Sequence, residues 1–403
     1  MLNWANQFNI FCLLDNNQYS FEEPAFECML AVGCVRSYNF TGNNDKQKLQ
    51  SFYNQNPTWL FGHFGYNAFG NAHIFTENEN GFSNGFFFEP ETILKISNET
   101  IAVLKSTKTA AEILKEIADF ILPEEILQQK IKPLPLLSKE NYIEKIKKIQ
   151  LHIARGDCYE INFCKKFESK NATINPIETY QKLTELSPAP FGALYKVNND
   201  YCICSSPERF LQKQNTTLIS QPIKGTSRRD ADAIKDATNK IHLLQSEKEK
   251  AENVMVVDLV RNDMSIVCKK GSVHVKELFG IYSFPKVHQM ISTVQGTVNA
   301  NGEALKLIEP CFPMGSMTGA PKQKVMQLIE QYEDSSRGLF SGSIGYFTPE
   351  NNFDFNVVIR SIFYNQEQKT ISFFAGSGIT FYSNPTQEYD ECMAKAEAMV
   401  GVL

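Results

Sequence analysis

Two short runs, Ser205-Ser-Pro-Glu-Arg-Phe210 and Gln221-Pro-Ile-Lys-Gly-Thr226, set an acid and an amine one strand apart along the chain. A hairpin joining them would bring Glu208 and Lys224 into one partly dry pocket. There a carboxylate and an amine shift each other's pKa and can act as acid and nucleophile. The same two residues could equally form a structural ion pair. Glu252 closes the charged run Glu247-Lys-Glu-Lys-Ala-Glu252, just before the apolar Val254-Met-Val-Val257. A carboxylate on that border must find a partner or a metal. Glu388, Glu391 and Lys395 share one helical face. Hard oxygen donors from two helices suit Mg²⁺, which keeps water and takes one or two protein carboxylates plus substrate oxygens. A solvated helix with a Glu391–Lys395 pair has the same spacing. Pro313-Met-Gly-Ser-Met-Thr318-Gly-Ala-Pro321-Lys322 reads as a loop opening a helix, with Thr318 near the N-cap. Free N–H groups at such an end bind carboxylate or phosphate. Ala375-Gly-Ser-Gly378 offers amides that a ligand can approach, and Arg360, expected on a strand, offers a bidentate carboxylate clamp. Together these describe a pocket for a small polyanionic metabolite.

Positioning them requires strands and helices in a mixed order. Residues 1–95, rich in Phe, Gly and Asn, read as antiparallel β. Helical periodicity over 109–129 is interrupted at Pro123, and Lys132-Pro-Leu-Pro135 is a stiff extended link. The chain therefore divides into an N-terminal region, 1–130, and a second region, 131–403, that holds the chemistry. Ser138 caps a helix whose buried positions are Tyr142, Ile146, Ile149 and Ile153, and Gly156 closes it. Strands follow over 158–163, 192–197, 201–205 and 217–220, then one long helix over 230–260. Strands at 272–279 and 289–298 precede a helix over 321–332, strands at 341–348, 353–365 and 370–375, and a last helix from 386. Clustered strands without strict βαβ alternation make the class α+β.

Lys and Arg number 40 against 45 Asp and Glu, a net charge of −5. That balance argues against nucleic acid or an anionic membrane as partner. Thirty Phe and two Trp predict a Phe-rich core. Ten Cys without a CxxC read as reduced, buried thiols, and no stretch offers the roughly eighteen apolar residues of a membrane span. With no basic, apolar leader at the N-terminus, the expectation is a soluble cytoplasmic protein.

In order, SPERF, PIKGT, KAEN with VDLVRND, GSMTGAPK, SGSIGY, GSGI and EYDECMAK resemble the chorismate-utilising enzymes, over about residues 135–403. That family includes anthranilate, aminodeoxychorismate, isochorismate and salicylate synthases. The resemblance implies an α+β fold of large antiparallel sheets packed together and flanked by helices, with the pocket between them. It implies that Glu252 and Glu391 hold Mg²⁺ against the ring carboxylate of chorismate, with Glu388 nearby and Lys395 on the same side. Arg360 and Tyr346 would hold the enolpyruvyl carboxylate, helped by Gly376, Ser377 and Gly378, with Thr226 and Thr318 as further contacts. His288 would face the substrate ring, although a lone histidine is more often a satisfied core residue.

Lys224 matches the branch that makes 4-amino-4-deoxychorismate from chorismate and ammonia, whereas anthranilate synthases resemble PIAGT here. In that reading Glu208 protonates the departing C4 hydroxyl while a neutral Lys224, desolvated by its pocket, adds at C2. Ammonia then adds at C4 and expels the lysine. The alternatives are anthranilate synthesis or a non-catalytic chorismate-binding subunit. Members that use water carry a lysine base where this chain has Glu160, and the ammonia-using branch usually has Gln, so Glu160 departs from both. Met314 and Ser377 are lesser departures. Because this fold accounts for the chain's length, ammonia is expected from a separate glutamine amidotransferase subunit.

Overall fold

Along Ile10–Asp15, Phe11 and Leu13 face one way and Cys12 and Leu14 the other, and all four are buried. Met29–Val32, Phe191–Val197 and Asp200–Ser206 repeat the pattern. Such strands are apolar on both faces because helices cover one face and a second sheet the other. In the computed structural model, which describes residues 1–19, 28–42, 45–70, 81–97, 99–121, 131–300 and 302–403, two large antiparallel sheets are stacked. The eleven-stranded sheet runs from Gly319–Ala320 through Glu160–Ser169 and Thr370–Ile379 to Ile101–Lys105. The ten-stranded sheet runs from Ile223–Arg228 through Arg209–Gln214 and Phe353–Asn356 to Arg36–Asn39. Between them, Phe61, His63, Phe86 and Tyr346 of the ten-stranded sheet face Cys12, Leu14 and Tyr195 of the other, with His63 Nδ1 3.1 Å from the Tyr195 hydroxyl. The opposite face of the ten-stranded sheet carries Phe64, Phe87, Phe347 and Phe355, with the Phe64 and Phe87 rings 4.7 Å apart and Phe312 packed on Phe64. The other face of the eleven-stranded sheet packs under Lys139–Ala154, Pro176–Leu186, Lys322–Tyr332 and Pro385–Gly401 through Tyr142, Leu183, Val325 and Cys392. Ala233–Gln245 and Glu247–Val267 pack on Ile223–Arg228 and Val287–Thr297.

Strands from either side of residue 130 share both sheets. Ile10–Asp15 pairs with Phe191–Val197, and Leu60–Phe64 with Ser343–Phe347. Part of the proline-rich link, Leu134–Pro135, pairs with Glu160–Ser169. Pro123 lies outside the described residues. The first 95 residues also contain helices Leu2–Asn6 and Asp45–Gln55, which the β reading did not include. The helix over 139–154 begins as expected, with the Asn141 amide donating to Ser138 Oγ.

Two expected elements are broken in the structure. The helix over 230–260 is two helices that meet at Ser246, whose ψ of 109° ends one while its hydroxyl caps the next. The strand over 353–365 is two strands in different sheets, with Arg360 between them at φ +51°. Among the described residues no helix is long and apolar enough to cross a membrane.

The strand that follows Glu208 is fastened by a buried ion pair. Arg209 Nε and Nη2 each lie 3.0 Å from an Asp354 oxygen, and Nη1 donates to Gln221. Removing one member strands the other charge in the core. Asp354→Asn should therefore cost about 3–5 kcal/mol in a denaturant titration.

Candidate active site

The chain leaves the eleven-stranded sheet after Asp200–Ser206 and enters the other at Arg209; Glu208 lies on that step. It returns after Phe353–Asn356, and Arg360 lies on the return. The two crossovers are hydrogen-bonded together: the Val357 amide donates to Glu208 O at 3.0 Å, and the Ser205 amide to Arg360 O at 3.2 Å. A non-glycine residue at positive φ is strained and persists where its surroundings hold it. Among the described residues the Arg360 guanidinium makes no hydrogen bond or ion pair, which leaves its fork open to a carboxylate. Burial depresses its pKa, with Glu208 opposing. Glu208 is buried and its carboxyl is pushed from the ordinary 4.5 to about 7 by desolvation, against the pull of Ser316, Lys224, the Ile223 amide and Arg360. It is therefore an acid still partly protonated at neutrality.

Lys224 stands on Ile223–Arg228, beside Gly225 at φ +93°. Its Nζ donates to Glu160 Oε1, with the two side chains 11% and 4% exposed. Beneath the pair runs Gly378, where a Cβ would lie 2.7 Å from Glu160 Oε1 and 2.9 Å from Lys224 Nζ; only glycine leaves room for both. Lys224 lies within electrostatic range of Glu208, as the two motifs suggested, but its bonded partner is Glu160. The expected neutral amine is not found. Burial favours it, yet Glu160, Glu252 and Glu208 together outweigh burial and raise the pKa, so Lys224 is an ammonium.

Two helices bring further carboxylates to this end. Glu252 is pushed up to about 7 by burial, with Glu160 and Glu249 raising it further. Glu249, which the sequence reading passed over, is also raised by burial and sits against Gly225. From the last helix, Glu388 is buried and Glu391 pairs with Lys395 at 2.7 Å. That pair was the bland alternative, but Lys395 Nζ also donates to Gly376 O, which ties it to the site. The Lys248 ammonium feels Glu252, Glu388 and Glu391 together, so the two helices face one another. Among the described residues no three acidic, His or Cys groups cluster closely enough to chelate a metal. Mg²⁺ needs only one or two protein carboxylates and keeps its water. Glu252, whose carboxyl resists ionising because it is buried, in spite of Lys224 and of Lys248 at 3.8 Å, fits that requirement.

Other expected contacts sit elsewhere or have other work. His288 is a satisfied core residue: its Nδ1 meets Ser283 Oγ at 2.8 Å and its Nε2 meets Asp236 at 3.1 Å. Tyr346 lies among aromatic rings, 5.6 Å from Trp59 and 5.7 Å from Phe61, because its strand turns it toward that layer. The Thr318 hydroxyl donates to Met314 O at 3.1 Å and closes a short turn; the helix begins at Lys322 with Pro321 as its N-cap. Thr226 is exposed on the edge strand. Ser377 is buried and, by strand alternation, faces the helices, while Gly376 and Gly378 face the site. The loop at 315–318 is held by Arg337, which is buried with Glu333 and donates to Met317 O and Asn162 O.

An unpaired guanidinium, a protonatable carboxyl and a lysine among carboxylates, set between two antiparallel sheets, are the equipment of an enzyme for a small carboxylate anion. A family model described as chorismate binding enzyme matches residues 15–401, and the chain belongs to that family. It is 39% identical over 274 residues to the chloroplastic aminodeoxychorismate synthase of Arabidopsis thaliana, which covers 67% of this chain and 30% of that protein. It is 36% identical to aminodeoxychorismate synthase component 1 of Bacillus subtilis, covering 65% of this chain and 55% of the relative. The match thus spans less than two thirds of these relatives. Among solved structures, anthranilate synthase component I from Streptococcus pneumoniae TIGR4 superposes with a TM-score of 0.82 at 22% identity over 96% of this chain and 95% of that one. The menaquinone-specific isochorismate synthase of Escherichia coli superposes with 0.79 at 17% identity over 100% and 91%. These two structures share the fold.

The Glu208 carboxyl supplies a test of the site's electrostatics. Its pKa is raised, so the stability it contributes is complete below about 4.5 and lost as pH rises through about 7. Across that window the native chain should lose stability relative to Glu208→Gln, measured by urea midpoints. An infrared band of a protonated carboxyl, present at pH 6 and absent in the variant, should fade with the same midpoint.

Proposed function

We propose that this chain aminates chorismate at C4 with ammonia, giving 4-amino-4-deoxychorismate, the activity of an aminodeoxychorismate synthase component I. The observation that carries the reading is Lys224, an amine in the same pocket as a protonatable Glu208 and the open fork of Arg360. Arg360 receives the enolpyruvyl carboxylate, which orients the ring between the two side chains. Glu208 gives its proton to the C4 hydroxyl as it leaves, while Lys224 adds at C2 and the ring double bond shifts. Ammonia then adds at C4 and expels Lys224, so that one difficult substitution becomes two allylic ones. Mg²⁺, held by Glu252 and Glu391 with Glu388 nearby, would neutralise the ring carboxylate when bound. The name component 1 among the relatives supports a partner, and a glutamine amidotransferase subunit would supply the ammonia.

Incubation with chorismate, Mg²⁺ and ammonium, followed by mass and absorbance, tests the reading. Aminodeoxychorismate is expected; anthranilate or unchanged chorismate would overturn it. Lys224→Ala should lose most of that product. Glu252→Gln and Glu391→Gln should each raise the Mg²⁺ concentration needed for half-maximal turnover by tenfold or more, roughly 1.4 kcal/mol of binding, while the fold survives.

A further inference from the structure

We infer that Glu160 is a further catalytic residue, the base that takes a proton from Lys224 and later returns it; this rests on Lys224 being the nucleophile of the proposed reaction. An ammonium has no lone pair to attack with, so a base must act first. Among the described residues, Glu160 is the one group hydrogen-bonded to Lys224 Nζ, and Lys224 is the one partner of the Glu160 carboxylate. Gly378, by lacking a Cβ, leaves the space in which the two meet. The other candidates have other tasks. Glu208 must stay protonated as the acid, and it faces Arg360 as well as Lys224. Glu249 and Glu252 from one helix and Glu391 from another act on Lys224 through space without bonding to it, and Glu391 is paired with Lys395.

In water the transfer is uphill, since lysine is the stronger base by about six pK units. Two features of the site work against that gap. A ligand that covers the pair strips its water, and desolvation penalises two charges but not a neutral amine beside a neutral acid. Of the carboxylates that hold Lys224 charged, Glu208 is protonated for its own step, Glu252 is available to a cation and Glu391 is paired with Lys395. Glu160, bonded to Nζ, is then the strongest influence left, with Glu249 acting only through space. The proton balance closes. An Nζ–H bond breaks and its proton goes to Glu160; the freed pair forms the Nζ–C2 bond as C4–O breaks and water leaves with the Glu208 proton. Ammonia's lone pair forms C4–N while Nζ–C2 breaks, its pair returning to nitrogen. Glu160 hands its proton back to Lys224, and Glu208 takes the surplus proton from the new C4 ammonium.

The test is the rate of covalent adduct formation between the full chain and chorismate, read by intact mass with Mg²⁺ present and ammonium absent, from pH 6.5 to 9.5. Leaving out ammonium removes its own titration from the profile. Glu160→Gln keeps the shape and an oxygen acceptor but cannot take a proton. We expect about a hundredfold slower adduct formation than in the native chain at pH 7, a deficit that narrows about tenfold per pH unit as solvent deprotonates the lysine. Glu160→Asp keeps much of the native rate and follows the native profile; the titration of Glu208 is common to all three chains and cancels in the ratio. A loss in Glu160→Gln that is equal at every pH would mean the residue only supports the structure, and an unchanged or faster rate would mean it only restrains the lysine. Either result overturns the inference but leaves Lys224 as nucleophile. No adduct on the native chain overturns the nucleophile reading itself, and this inference with it.

Discussion

Two of the steps by which the chain changes sheet are bonded to each other, Glu208 O to the Val357 amide and Arg360 O to the Ser205 amide. This constraint organises the site. Two stacked sheets bury their facing sides in an aromatic core, and a charged group placed there would ordinarily be expelled. At the crossovers, however, backbone that would continue in a strand turns aside, and its polar groups answer one another. The charged side chains emerge at the margin of the core with their backbone already satisfied. Arg209, buried against Asp354 directly after Glu208, fastens the same point from the other side. The acid and the open guanidinium are thus placed by topology rather than by a local motif.

What could be read from the sequence divides along the same line. Locally specified elements were legible: the Ser138-capped helix has its cap and its 3.6 period within sixteen residues, Lys139–Ala154. The Phe-rich core followed from composition, and the carboxylate helices from spacing. The break at Ser246 had a signal, since Ser246-Glu-Lys-Glu249 has the spacing of a capping box, but the uninterrupted helix-forming run concealed it. The break at Arg360 had none, because Val357-Val-Ile-Arg-Ser-Ile-Phe363 reads as one continuous strand. The turn there is imposed by two sheets that each claim one half of the run.

The site residues show the same division. Charged members converge because a buried charge needs partners that the fold must bring. Uncharged members carried over by resemblance have no such obligation. His288 is held by Ser283 and Asp236, Tyr346 joins the aromatic layer, and the Thr318 hydroxyl closes its own turn. The Lys224–Glu160 pair is the reverse case. Its members lie 64 positions apart in the sequence, on different sheets, and no local pattern links them.

The charges are also unevenly divided within the site, and this has a consequence for the acid. Carboxylates gather around Lys224 and the two helices, while Arg360 stands alone at the other end, with Glu208 between them. Arg360 is one of the influences that hold the Glu208 pKa down. A ligand carboxylate in the Arg360 fork offsets that positive charge and adds a negative one near Glu208, and both effects favour the protonated carboxyl. Protonation of Lys224 by its carboxylates works in the opposite sense, and it weakens when Nζ gives up a proton. Anion binding at one end and proton loss at the other therefore each make Glu208 a fuller acid. The substrate's own carboxylate helps to load the proton that its hydroxyl will take.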